Sequence, residues 1–306
     1  MPISASPRRP AGAYLTPLVR KLAGEYGIDP GVVAGSGRDG RVRKQDILAA
    51  AKARTRPAPG AAPAVAGRPG SIRPMAPERR LAGERAAASL RTSAQLTTVV
   101  EADLSRIVRL IDRAGPGFAV REGVPLGLLP FYAAATVEAL KAHPVVNARL
   151  DPEAGTITYP DAEHLGLTVD TDRGPVVPVL RDAGGLSLAG LARRAADLAG
   201  RARTGTLNSG ELEGGTFTLT DSGERGALFD TPVVHQPQSA VLSVGAPVRR
   251  PVAVTDDLLG DTIAIRPTAY LALSYDHRLI DGADAARFLR TVKYRLESAA
   301  FEAALP

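Results

Sequence analysis

Apolar positions along the chain recur at two spacings. In Tyr14–Ala23, residues Leu15, Leu18, Val19 and Leu22 share one helical face, with Thr16-Pro17 as N-cap and first-turn proline, so a short helix is expected. Gly27, Gly31, Gly35, Gly37 and Gly40 mark an irregular loop, and Arg43–Lys52 reads as a second helix burying Ile47 and Leu48. From there to Gly70 the chain is rich in Ala, Pro, Gly and Arg without helical or strand period, which predicts a semi-extended linker. Helical spacing returns in 75–91, 104–113, 128–142, 186–203 and 281–299. Strand-like runs fall between them, at 96–101, 165–169, 216–220, 240–244 and 270–275. No repeat and no regular alternation of strand and helix is present, so an α+β layered domain is expected rather than a doubly wound parallel sheet. The expected organisation is a tail over 1–12, a small helical domain over 13–51, a linker over 52–72 and a large domain over 73–306.

Composition narrows the function classes. The 306 residues are 44% hydrophobic and 23% charged, enough for a sizeable core, with no 18-residue apolar run to span a membrane. The N-terminus has no apolar segment of the kind a secretory signal carries, so the cytoplasm is the expected location. Cysteine is absent, which excludes disulfides, thiolate metal sites and a cysteine nucleophile. The net charge of +6 is uneven: residues 1–72 hold 12 Lys+Arg against 4 Asp+Glu, whereas 73–306 hold 26 against 28. An acidic partner therefore belongs to the first seventy residues. With only Tyr14 and Tyr26 available there for base stacking, nucleic-acid binding is not expected.

The most informative stretch is LALSYDHRLIDGADAARFL, Leu271–Leu289, which joins an apolar strand to a helix through Asp281-Gly282 and sets His277 at the strand's end. An imidazole there can take a proton from a thiol or hydroxyl near neutral pH. A carboxylate four residues on can fix the local geometry.

This stretch resembles the terminal signature of the dihydrolipoamide acyltransferases, a family sharing its fold with chloramphenicol acetyltransferase. RGPVVPVL at Arg173–Leu180, LNSGELEGGTFTLTDSG at Leu207–Gly223, LTTVVEADLSRIVRL from Leu96 and PFYAAATVEALKAHPVVNARL from Pro130 resemble further segments of that family in the same order. The resemblance covers residues 73–306. It implies a chloramphenicol-acetyltransferase-like domain with His277 as general base and Thr220 as the hydroxyl facing the oxyanion. Asp281 would brace the site, and Gly282 would let the turn close. His143, His164 and His235 match no catalytic position of the family and are expected to be structural, so no metal is expected. Coenzyme A or an acyl-CoA is implied as substrate, and the implied active unit is a homotrimer with sites between subunits. Residues 14–52 resemble the same family's peripheral-subunit-binding domain, whose basic surface, here Arg38, Arg41, Arg43 and Lys44, would dock an acidic protein partner.

The chain departs from the family at two places. Thirteen residues precede Tyr14, where the family carries its lipoyl domain, and Lys21, Lys44, Lys52, Lys141 and Lys293 all lie in segments assigned otherwise, so no covalently bound lipoate is expected. The tail ESAAFEAALP has alanine or polar residues where cubic-core members have leucines, which predicts weakened contacts between trimers and assembly that stops at three chains. The leading expectation is transfer of a short acyl group, acetyl foremost, from coenzyme A to a small-molecule or carrier-bound hydroxyl or thiol. O-acetylation of a hydroxymethyl group in tetronate-type biosynthesis is the example the lipoyl-less relatives suggest. The alternative is the catalytic core of a 2-oxo acid dehydrogenase complex, served by a lipoyl domain in trans.

Overall fold

A computed structural model describes residues 16–26, 28–33, 35–37, 41–55, 70–72, 74–256 and 260–301. The tail over 1–12, most of the linker, Arg38 and residues 302–306 lie outside them. The chain divides into two compact units, Met1–Pro74 and Met75–Pro306.

In the first unit, α1 (Pro17–Glu25) starts at Thr16, whose hydroxyl accepts the Val19 N–H at 3.4 Å. Helix α2 (Lys44–Thr55) follows a loop organised by one carboxylate: Asp46 Oδ2 accepts the N–H groups of Ser36 at 2.9 Å and Arg43 at 2.8 Å. Val19, Ala23, Val42 and Ile47 form its core, while Leu48 is exposed rather than buried with Ile47.

The second unit comprises α3 (Pro77–Thr92), β1 (Gln95–Asp103), α4 (Ser105–Glu122), α5 (Leu129–Ala142) and α6 (Pro144–Asn147). The strands β2 (Arg149–Asp151), β3 (Thr156–Thr158), β4 (Leu165–Leu167) and β5 (Val179–Leu180) precede α7 (Leu188–Thr204). Then come β6 (Phe217–Asp221), β7 (Ala240–Val244), β8 (Val248–Asp256), β9 (Gly260–Asp276) and α8 (Gly282–Ser298). The main sheet runs β1-β9-β7-β6-β4-β5, with β4, β6 and β7 parallel and the other pairs antiparallel. Strand β9 is long enough to serve twice: its first half pairs with β8 in a protruding ribbon, and its second half lies between β1 and β7.

Strand alternation gives the sheet two unlike faces. Phe217, Leu219, Leu242, Val244, Leu271, Leu273 and Tyr275 are buried with Phe131 and Leu140 of α5 and with Phe288 and Leu289 of α8. The alternate positions carry hydroxyls: Thr218 and Thr220 on β6, Ser243 on β7 and Ser274 on β9, all buried. At roughly 25 cal/mol per Å² the apolar face supplies the driving force for this layer. The small hydroxyl side chains leave the other face flat enough for a second surface to approach.

Candidate active site

Strand β9 ends at Asp276, and the chain turns at once, the N–H groups of Leu279 and Ile280 both reaching the Asp276 carbonyl at 3.0 Å. This sets His277 on the first residue beyond the sheet, exposed. Its N–H donates to Ala94 O at 2.9 Å and its ring lies 6.1 Å from that of Tyr275.

The neighbours of His277 hold it. The buried Asp276 carboxylate accepts the Ala94 N–H at 3.2 Å, the Arg278 N–H at 3.1 Å and the Arg278 guanidinium at 2.6–3.1 Å. Burial alone would push this carboxyl up, but the hydrogen bonds and charge of Arg278 outweigh it and hold the group below the usual carboxylate range. Sequence reasoning missed the pair. The only available signal was a charged residue on each side of a candidate base.

Asp281, the expected brace, has a local structural partner in the helix that follows. It is the N-cap of α8, its Oδ1 accepting the Asp284 N–H at 2.7 Å while Asp284 Oδ2 accepts the Asp281 N–H at 3.3 Å. The N–H groups of Asp284 and Ala283 hold its carboxyl low. Asp281 thus fixes the exit of the turn, and through it the position of His277, without a hydrogen bond to the ring among the described residues. Gly282 does not close the turn by being small, because a Cβ there would meet only Tyr275 Oη at 3.9 Å, an ordinary contact.

Thr220 sits near the opposite end of β6, 8% exposed, with its Oγ1 2.8 Å from Thr168 Oγ1. Thr168 follows β4, where Gly166 lets Val177 and Thr218 come close; a Cβ on Gly166 would lie 2.9 Å from Val177 and 3.1 Å from Thr218 Oγ1. The register places Thr220 beside Ser243 and Ser243 beside Ala272, five residues before His277. At strand spacings of about 4.8 Å and rises of about 3.3 Å per residue, Thr220 and His277 of one chain are roughly 19 Å apart. One chain therefore does not bring the two together. A cavity of about 660 Å³ lined by Glu101, Arg106, Arg266 and Tyr294 contains none of the three candidate residues.

The other histidines have structural settings. His143 Nε2 is 2.8 Å from Thr291 Oγ1, and burial together with Arg287 and Arg290 pulls its pKa down against the opposing Asp284. His164 Nδ1 accepts the Asp182 N–H at 3.1 Å, and burial pulls His235 down. Among the described residues no group of His, Asp and Glu is arranged to hold a metal ion. No described helix is long and apolar enough to cross a membrane.

Residues 13–48 match the e3 binding domain, and residues 68–303 match 2-oxoacid dehydrogenases acyltransferase (catalytic domain). The dihydrolipoyllysine-residue acetyltransferase component of the pyruvate dehydrogenase complex of Mycobacterium bovis is 51% identical over 95% of this chain and 56% of its own length. The chain spans about half the length of the curated relatives it matches, 56%, 56% and 44% for the first three. The expectation of a lipoyl-less protein therefore finds no support in them. Among solved structures, the dihydrolipoamide acetyltransferase of Azotobacter vinelandii is 30% identical with a TM-score of 0.70, over 77% of this chain and 94% of that one. There a serine, a histidine and an asparagine four residues beyond the histidine were investigated for roles in catalysis. The cubic core of a pyruvate dehydrogenase multienzyme complex is 31% identical with a TM-score of 0.71, over 82% and 99%. With a catalytic-domain match over most of its length and half its residues shared with an acetyltransferase component, this chain belongs to the 2-oxoacid dehydrogenases acyltransferase family.

Proposed function

We propose that the chain is the acyltransferase core of a 2-oxo acid dehydrogenase complex, passing a short acyl group between a dihydrolipoyl thiol and coenzyme A. The observation that carries this is the exposed His277 at the sheet's end, within a chain 51% identical to a pyruvate dehydrogenase acetyltransferase component. The relatives favour this second sequence expectation over O-acetylation in natural-product biosynthesis. They also favour acetyl as the acyl group, since the relative of 51% identity is an acetyltransferase.

In this reaction neutral His277 takes the proton of the attacking thiol as its sulfur adds to the thioester carbonyl. The tetrahedral oxyanion accepts a hydrogen bond from the Thr220 hydroxyl. When the intermediate collapses, the C–S bond to the departing thiol breaks, and the imidazolium returns its proton to that sulfur. General-base help of this kind contributes about 10²- to 10⁴-fold, and one oxyanion donor about 10²-fold or more.

The roughly 19 Å between Thr220 and His277 in one chain means that both act on one substrate only if a neighbouring chain supplies one of them. This supports a trimer with sites between subunits. In the first unit, the exposed Arg41, Arg43 and Lys44 dock an acidic face of another enzyme of the complex, in keeping with the e3 binding match.

Incubation with acetyl-CoA and either dihydrolipoamide or a hydroxymethyl acceptor tests the assignment. Transfer to the thiol at a much higher kcat/KM is the expected result. Preference for the hydroxymethyl compound would overturn it.

A further inference from the structure

We propose that Thr168 is a positioning residue for the acyl-transfer reaction, donating a hydrogen bond to Thr220 so that the Thr220 proton is free to meet the oxyanion. This rests on the role given to Thr220 above.

The two hydroxyls lie 2.8 Å apart on the polar face of the sheet, on adjacent parallel segments held by the Thr168 N–H to Leu219 O bond of 3.1 Å. Either could be the donor. The pair is isolated: among the described residues, neither Oγ1 has another hydrogen-bonding partner. Two hydroxyls in one bond use one proton and leave the other unused.

The direction decides what that unused proton does. If Thr220 donates to Thr168, its single hydrogen points away from the substrate and the oxyanion meets only lone pairs. If Thr168 donates to Thr220, the Thr220 hydrogen can turn to the oxyanion, giving a chain from Thr168 to Thr220 to the negative oxygen. Among the described residues no other acceptor competes for the Thr168 proton, so charge developing on the substrate drives the pair into the second arrangement. Chains of this kind strengthen each member, because a hydroxyl that accepts one hydrogen bond is a better donor of the next. Burial of Thr220, at 8% exposure, limits competition from water for the same lone pairs.

The signal for Thr168 was invisible along the chain, where it is one threonine in GLTVDTD. It appears only once the parallel pairing of β4 and β6 places it across from Thr220.

A double-mutant cycle tests this, with kcat and KM for acetyl-CoA and dihydrolipoamide measured on Thr168→Val, Thr168→Ser, Thr220→Ala and Thr168→Val/Thr220→Ala. Valine keeps the β-branched shape and removes the hydroxyl. The expected result for Thr168→Val is a kcat about 3- to 10-fold lower, the worth of one neutral hydrogen bond, with KM little changed. Thr168→Ser should retain the wild-type rate, and in the Thr220→Ala background the valine should cost nothing further. A Thr168→Val rate equal to wild type would overturn the proposal, as would an equal loss in both backgrounds, which marks a purely structural role. Failure of the underlying assignment is distinguishable: there Thr220→Ala itself would turn over at the wild-type rate, and the role of Thr168 would fall with it.

Discussion

Replacing His277 by alanine removes the imidazole that follows β9 and should lower kcat by about 10²- to 10⁴-fold. The backbone hydrogen bond to Ala94 survives the change, so circular dichroism and the thermal midpoint should stay close to wild type; more than about a tenth of the activity remaining would rule out the general-base role. Asp276→Asn is expected to act differently. It keeps the shape but discards the charge that Arg278 pairs with at 2.6 Å, and should cost about 1–3 kcal/mol of stability. Its kcat should fall more than its KM rises, because the mutation loosens the backbone carrying the base rather than a substrate contact. Steady-state kinetics with chemical denaturation on the same sample separates the two effects. At this scale the placement of His277 just past a strand and of Thr220 within one was legible in the sequence, since an apolar run ending at a histidine and a hydroxyl inside a strand-like segment carry a one-dimensional signature. Asp276, Arg278 and Thr168 were not legible as a site, because their meaning lies in partners that the fold supplies.

Among the elements, most helices were readable from the 3.6-residue period, and the exceptions have physical causes. Helix α4 was expected to stop at Arg113, before Gly115-Pro116-Gly117, yet it continues to Glu122. Burial of Phe118 in the core outweighs the local preference of that tripeptide. The ribbon of β8 and the first half of β9 was not foreseen: Pro251 and Pro267 interrupt its pattern, and Ile263 and Ile265 face outward, 81% and 55% exposed. One tertiary link between elements has a pH signature. Arg201 of α7 binds the Glu211 carboxylate at 2.6 Å, and together with the Asn208 N–H lowers its pKa from 4.5 to about 2. A carboxylate held low in the folded state contributes its stability above about pH 4.5 and loses it as the pH falls towards 2. Glu211→Gln should therefore lower the thermal midpoint at pH 7 and leave it nearly unchanged at pH 2; equal losses at both would exclude the ion pair as the cause.

For the whole molecule, light scattering is expected to give a particle built from threes, near 95 kDa for a free trimer of 31.8 kDa chains. The expectation of a free trimer came from the alanine-rich tail, and part of that tail is accounted for within its own subunit. Phe301 is buried against Phe131 at 5.2 Å between ring centroids, with Arg295 stacked 3.8 Å from its ring centroid. A mass of about 760 kDa, that of eight trimers at the corners of a cube, would show that the tail still joins trimers. A fully active monomer would contradict sites between subunits.

The distance along the sheet between Thr220 and His277 also has a genetic consequence. If every reaction centre borrows its base from one chain and its hydroxyl from the next, a chain lacking only the base and a chain lacking only the hydroxyl are each other's remedy. His277→Ala and Thr220→Ala subunits, unfolded together in equal amounts and refolded, would regenerate intact centres at about one junction in four, from random assortment around a ring. Two preparations that are each nearly dead would recover about a quarter of wild-type turnover on mixing, a complementation that no enzyme with self-contained sites can show.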